Sequence, residues 1–232
     1  MLDYTHHSLF LLILMVFALG IRHGFDLDHL ATIDSITRQV KGNNRLSKFV
    51  GFLFSLGHGL VVLLMSLIIS SGYIKIQSPL WLEAVGNWIS ILFLFAFGLL
   101  TLWNTVPHSH ALPTSLRPYL FKKILNETYN PFIIILIGAL FAFSFDTFTQ
   151  VALFSISVSL MAGWTFSMLL SLIFMLGMMT ADGLNGLVVS SLIHYADKRS
   201  ALISQTIGLI IAGFSLVLAT LGVLKLVVNY HL

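Results

Sequence analysis

The chain of 232 residues is too apolar to fold as a soluble globule, because 57% of its residues are hydrophobic and only 9% are Asp, Glu, Lys or Arg. Its net charge of +3 does not indicate a nucleic-acid partner, since the basic residues lie in short segments between apolar runs, where they orient membrane helices. The absence of cysteine excludes disulfides, thiolate metal sites and cysteine catalysis, which leaves His, Asp, Met and backbone oxygen as metal ligands.

Six apolar stretches are long enough to cross a bilayer, for which about 20 residues each are needed. We therefore predict an all-α integral membrane protein with six transmembrane helices. They run from Ser8 to about Ile36, Phe49 to Ser71, Leu82 to Val106, Pro131 to about Leu160, Thr165 to His194 and Ala201 to Val228. The first and fourth are about 30 residues long, or ~45 Å of straight helix against a ~30 Å hydrocarbon core. We expect both to be tilted or interrupted near their charged centres.

The first crossing contains a charged segment, Arg22–His29, in which five of eight side chains are ionisable. These are Arg22, His23, Asp26, Asp28 and His29. A charge in the centre of a membrane helix costs ~2.5 to 3.5 kcal/mol on insertion scales, so such a cluster is by default a functional site. Asp26 is either a metal ligand or the charge partner of Arg22.

Helical geometry divides the cluster. At ~100° per residue, His23, Asp26 and His29 share one face of a regular helix, whereas Asp28 points elsewhere. Asp28 joins them only if the helix unwinds at Gly24; otherwise it holds a histidine tautomer or pairs with a basic group.

The second crossing supplies a further imidazole, since its sole ionisable side chain is His58. A lone membrane histidine is as often an interhelical hydrogen bonder as a ligand, and both roles stay open. Several imidazoles with a few carboxylates suit Ni, Co, Cu or Zn better than Mg or Ca. The predicted metal ligands are His23, Asp26, Asp28, His29 and His58.

The orientation of the helices follows from alternate loops that are rich in basic residues. These are Arg38, Lys41, Arg45 and Lys48, then Arg117, Lys122 and Lys123, then Lys198 and Arg199. The positive-inside rule makes this side cytoplasmic and places both termini outside. Asp34 and Arg38, one turn apart near that side, are predicted to form an ion pair.

A repeat with an offset of 120 residues relates the two halves. Phe25–Asp26 matches Phe145–Asp146, and Leu56–Gly57 matches Leu176–Gly177. Because each half contains three crossings, the second half must be inverted, which is typical of transporters with interrupted helices and a midplane site. We predict two inverted three-helix repeats, residues 1–106 with the metal site and 131–232, joined by a cytoplasmic linker, 107–130.

These motifs resemble those of the nickel/cobalt transporters of the NiCoT group, in the NicO superfamily, whose signature is His, four residues and Asp-His in a membrane helix. Arg22–His29 is similar to that signature and Leu56–His58 to the second motif. Phe145–Gln150 and the segment 177–186 resemble the third and fourth, with Gln150 and Asn185 in place of two carboxylates.

The resemblance implies a membrane permease that imports Ni2+ or Co2+ as its substrate and needs no cofactor. The length of the chain is similar to that of compact urease-associated members of the family. This similarity implies a nickel-enzyme maturation system, such as urease accessory proteins, as partner. Efflux is the alternative, because efflux proteins belong to the same superfamily. From the repeat and the motifs, we expect one further set of residues to support the site or line the pathway. It comprises Arg22, Asp146, Thr147, Thr149, Met178, Asp182 and Asn185.

An intramembrane metalloenzyme is the weaker alternative. It needs an activated water and a general base beside an open metal position. The chain has no His-Glu-x-x-His motif, and its two glutamates, Glu83 and Glu127, lie away from the centres of the crossings. We therefore expect a transporter without catalytic residues; the oligomeric state is left open.

Overall fold

The computed structural model of the protein describes residues 2–70, 80–105, 130–143, 163–199 and 201–231. All regular structure in these ranges is helical, as predicted. The helices are α1 (Leu2–Gly24), α2 (Leu27–Gln39), α3 (Asn44–Ser70), α4 (Leu80–Thr105), α5 (Pro131–Phe141), α6 (Gly163–Arg199) and α7 (Ala201–His231).

Three stretches of these helices are long and apolar enough to cross a membrane: Asn44–Ile68, Trp164–Tyr195 and Gln205–Val228. A fourth is added when α1 and α2 are taken as one bent span. The apolar parts of α4 and α5 that the structure describes, Asn87–Trp103 and Pro131–Phe141, are shorter. The described residues therefore have the helices of a membrane protein but do not test the count of six crossings. Most of the linker 107–130 and the second part of the fourth crossing lie outside them.

The first crossing is interrupted at Gly24, as its length and charge predicted. α1 ends there, α2 begins at Leu27, and the two helices meet at a bend of 56°. The N–H groups of Phe25 and Asp26 close the end of α1 by donating to the carbonyls of Arg22 and His23. A Cβ on Gly24 would lie 2.8 Å from the Cβ of Ala181, so only glycine lets the break approach α6 this closely.

α2 is the most enclosed helix of the described part of the chain. It contacts α3, α4, α6 and α7, and its residues 31–37 are all buried. Asp34 and Arg38 form the predicted ion pair, with Nε 3.0 Å from Oδ2. Because protein surrounds this half-helix, its polar side chains do not face lipid hydrocarbon.

Close backbone approach holds α1 against α6. A Cβ on Gly20 would overlap the carbonyl of Phe174, and a Cβ on Gly177 would overlap the carbonyl of Phe17. Each helix therefore presents a glycine to the backbone of the other, which is typical of helix packing in membranes.

The contact between α3 and α5 is built in the same way. A Cβ on Gly57 would overlap the carbonyl of Ile135, and one on Gly138 would overlap the carbonyl of Phe54. Two helix pairs, α1 with α6 and α3 with α5, thus share one packing arrangement based on reciprocal glycines.

Two of the helices begin after an asparagine whose side chain caps them. α3 begins at Asn44, before the predicted Phe49, and the side chain of Asn43 accepts the N–H of Leu46 at 3.0 Å. α5 begins at Pro131 as expected, with Asn130 as its N-cap. Apolar composition marks the part of a helix that suits lipid, whereas polar first and last turns continue it into the headgroup region.

Candidate metal site

Three imidazoles meet at the break in the first crossing. His23 lies in the last turn of α1, His29 in the first turn of α2 and His58 in the middle of α3, and each is at most 2% exposed. Their ring centroids are 4.7 to 5.0 Å apart. One ring nitrogen of each histidine lies within 4.8 Å of one nitrogen of each of the other two. We call these three residues the histidine triad.

The spacing of the histidine triad is compatible with a single transition-metal ion. Two imidazole nitrogens bound at about 2.0–2.1 Å are ~2.9 Å apart at a right angle and ~3.4 Å apart in a tetrahedron. The Nε2 atoms of His23 and His58 are 3.1 Å apart, within that range.

Two carboxylates hold the other ring nitrogens of the first-crossing histidines. Asp26 Oδ2 lies 3.0 Å from Nδ1 of His23, and Asp182 Oδ2 lies 3.1 Å from Nδ1 of His29. A carboxylate that accepts Nδ1–H selects the tautomer whose lone pair is on Nε2, the arrangement found around protein metal ions. Both carboxylates therefore favour a lone pair on Nε2 of their histidines, the atom that a metal ion would bind.

Asp182 connects the two halves of the chain at this point. It is fully buried on α6, and its Oδ2 also accepts a hydrogen bond of 2.5 Å from Oγ of Ser55 on α3. Its Oδ1 has no hydrogen-bond partner among the residues that the structure describes. The sequence prediction of supporting residues included Asp182 but missed Ser55. The available signal was position, because Ser55 precedes His58 by three residues and shares its helix face.

Asp28 lies beside the histidine triad, and its carboxylate contacts the backbone of His29. Its Oδ1 accepts from the N–H of His29 at 3.0 Å, in the first turn of α2, where a carboxylate favours the helix dipole. For Asp28 to be a ligand, the helix had to break at Gly24, and that break is present. The carboxylate of Asp28 nevertheless points to the first turn of α2. His23, Asp26 and His29 do lie together, with Asp26 3.0 Å from His23 and the rings of His23 and His29 4.7 Å apart, but across a break and not on one face of a regular helix.

The remaining predicted residues lie at different distances from the triad. Arg22 is exposed on α1. Met178 is fully buried, and its backbone lies beside Gly24. Asn185 follows Asp182 by one turn, and its Nδ2 has no partner within the described ranges. Three predicted residues, Asp146, Thr147 and Thr149, fall in 144–162, outside the described residues.

Buried phenylalanines cover the histidine triad on two sides. The ring of Phe174 is 5.4 Å from His23, and the ring of Phe54 is 5.0 Å from His29 and 5.5 Å from Phe141. These rings exclude water and lower the local dielectric, which strengthens every electrostatic interaction within the cluster.

The chain is similar to proteins that are described as nickel transporters. Residues 9–230 match the family described as NicO, high-affinity nickel-transport protein. The chain is 32% identical over 212 residues to the high-affinity nickel-transport protein NixA of Helicobacter pylori, covering 79% of this chain and 64% of the relative. It is 27% identical over 220 residues to the nickel transporter NixA of Staphylococcus aureus, covering 82% and 64%.

A third relative is the high-affinity nickel transport protein of Cupriavidus necator, with 32% identity over 168 residues, 62% of this chain and 48% of the relative. The chain thus spans less than two thirds of the length of these relatives. No solved structure matches it.

Proposed function

The chain belongs to the NicO family of high-affinity nickel-transport proteins, and from this premise we propose that it is a secondary transporter that imports Ni2+ across the cell membrane. The histidine triad is the observation that carries the proposal. Three neutral nitrogen ligands suit Ni2+, with Co2+ as second substrate, and they exchange an ion more readily than a closed thiolate cage.

Charge compensation supports a divalent substrate. Burying an uncompensated dication in the membrane is prohibitively costly, whereas here two carboxylates, Asp26 and Asp182, lie directly behind two of the imidazoles. The two negative charges of these carboxylates balance the two positive charges of one divalent cation. We propose His23, His29 and His58 as ligands, with Asp26 and Asp182 as the groups that orient His23 and His29 and balance the charge of the ion. The alternative is a direct bond from Asp26 or Asp28 to the ion, and substitutions of these carboxylates distinguish the two arrangements.

The membrane potential supplies the driving force in this proposal. Moving one charge through 100 mV releases ~2.3 kcal/mol, so an inside-negative potential draws a divalent cation inward without a nucleotide. The sequence has no Gly-rich phosphate-binding motif with lysine. Imported nickel would pass to a nickel-enzyme maturation system, such as urease accessory proteins.

We extend the proposal to the architecture: six crossings in two inverted repeats, with a cytoplasmic linker and both termini outside. The reciprocal glycine contacts support it. At the offset of 120 residues, Phe54 and Gly57 of α3 correspond to Phe174 and Gly177 of α6. Each of these helices packs through that pair against the crossing that opens the other half, as a pseudo-twofold relation requires.

Flux of radioactive nickel into proteoliposomes tests the proposed function. We expect Ni2+ to accumulate under an inside-negative potential without ATP, and we expect Co2+ to compete more strongly than Zn2+. A proton gradient imposed in either direction identifies coupling. Flux equal to that of protein-free liposomes would refute transport, and flux that is productive only outward would favour efflux. Turnover of a lipid or peptide without metal flux would support a metalloenzyme.

Two carboxylate variants separate ligands from supporting groups. Asp26→Asn and Asp182→Asn are each expected to weaken Ni2+ binding by about 10- to 100-fold, the usual cost of removing a partner of a ligating histidine. The loss should be larger for Asp182, because water can replace Asp26, which is 27% exposed, but not the fully buried Asp182. The measurement is equilibrium binding of radioactive nickel to purified protein.

The order of these losses decides the role of each carboxylate. If Asp26→Asn weakens binding as much as a histidine variant does, Asp26 is a direct ligand. The same comparison made with Asp28→Asn decides whether Asp28 binds the ion or only the backbone of His29. Equal binding by all three variants and the parent protein would contradict the assignment of this site.

A further inference from the structure

Ser55 makes a polar contact that its position in the sequence does not require. It lies fully buried on α3, one turn before His58. Its hydroxyl is 2.5 Å from Oδ2 of Asp182 and 2.9 Å from the carbonyl of Gly51. The carboxylate comes from α6, so this hydrogen bond joins the second half of the chain to the helix that carries His58.

A buried serine in a membrane helix ordinarily donates to the carbonyl four residues earlier. Ser171 does so within α6, at 2.9 Å from the carbonyl of Ser167. Ser55 has the same local acceptor, in Gly51, but a closer and charged one in Asp182. Because a hydroxyl carries a single proton and a carboxylate is the stronger acceptor, the proton of Ser55 is donated to Asp182.

The consequence is a fixed orientation of one carboxylate oxygen. Oδ2 of Asp182 receives both the hydroxyl of Ser55 and Nδ1 of His29, which lies 3.1 Å away. Without the hydroxyl, the carboxylate group could rotate about its χ2 angle, a broad torsion, and the acceptor for His29 would shift. The tautomer of His29 and the orientation of its ring towards the other two imidazoles would then no longer be fixed.

We propose that Ser55 is a positioning residue for the metal site and acts through Asp182 on His29. The inference rests on the proposed function, since it concerns how the same site holds Ni2+. In this proposal α3 has two roles. It supplies His58 as a ligand, and through Ser55 and Asp182 of α6 it orients His29 of α2. Movement of α6 relative to α3 would break the contact and release His29, which connects the geometry of the site to the packing of the two halves.

A double-mutant cycle on the full-length chain tests this inference. Equilibrium binding of radioactive nickel is measured for the parent protein, Ser55→Ala, Asp182→Asn and the double variant. We expect Ser55→Ala to weaken binding about tenfold, the lower end for an outer partner of a ligand. Ser55→Thr should retain affinity, because it keeps the hydroxyl. The double variant should bind as Asp182→Asn does, since Ser55 has no further effect once the carboxylate is gone.

Ser171→Ala is the matched control, since it removes a buried hydroxyl that donates to backbone and contacts no carboxylate in the described part of the chain. It should bind nickel as the parent protein does, with thermal unfolding measured for every variant. Parent-like binding by Ser55→Ala, or a loss that adds fully to that of Asp182→Asn, would overturn the inference alone. Failure of the parent protein to bind nickel would overturn the proposed function together with it.

Discussion

Replacing His29 with alanine is expected to lower Ni2+ uptake by more than about 100-fold, beyond the ~10- to 100-fold cost of losing an outer partner of a ligand. The ring of His29 lies within 4.8 Å of both other imidazole rings, measured between centroids, so its loss removes a central member of the site. The change also removes a donor to Asp182, which is fully buried. Among the residues that the structure describes, Asp182 would keep only the hydroxyl of Ser55 as a donor. A buried carboxylate that loses a partner is destabilising, so the site would rearrange as well as lose a proposed ligand.

The measurement is the initial rate of radioactive nickel uptake by proteoliposomes that contain equal amounts of folded protein. His194→Ala is the matched control, because this histidine lies near the C-terminal end of α6, partly exposed and outside the histidine triad. It should transport nickel at the parent rate. Uptake by His29→Ala at the parent rate, or an equal loss in both variants, would contradict the proposed site.

The interruption of the first crossing could be predicted from local sequence. A run too long for the bilayer, with charges and Gly24 at its centre, predicted the interruption that the structure contains. His58 joined His23 and His29 as a candidate because it is the sole ionisable side chain of the second crossing, and the structure places the three ring centroids 4.7 to 5.0 Å apart. Local sequence sufficed to predict the interruption because charge, glycine and length all act within one segment.

The supporting groups depended on tertiary packing and were harder to predict. Asp182 is 153 residues from His29, so no spacing rule connects them. Ser55 is an ordinary serine within an apolar helix, and only the approach of α6 gives it a charged acceptor. The regular-helix projection grouped His23, Asp26 and His29, as the structure does, but did not predict their directions, because the backbone is non-helical at Phe25 and Asp26. Contacts between the halves are set by glycine packing, which a single sequence does not display as a pattern.

Leucine at Gly57 or at Gly177 is expected to destabilise the protein by about 3 kcal/mol or more, the upper end of overpacking costs. A side chain at Gly57 would overlap the carbonyl of Ile135, and one at Gly177 the carbonyl of Phe17. Backbone cannot rotate away as a flexible side chain can, so the helices would have to separate. The measurement is unfolding by SDS in mixed micelles, together with the yield of monodisperse protein.

Gly213→Leu provides the matched control, because a Cβ at that position on α7 meets no atom within 4 Å among the described residues. Leucine there removes the low helix propensity of glycine and should leave stability unchanged or slightly increased. If the two halves are inverted repeats, the losses at Gly57 and Gly177 should be similar, since each glycine packs its helix against the crossing that opens the other half. Parent-like stability of either variant would show that its helix contact is looser than the structure describes. A large loss confined to one of them would argue against equivalent packing of the two halves, and with it against the proposed pseudo-twofold relation.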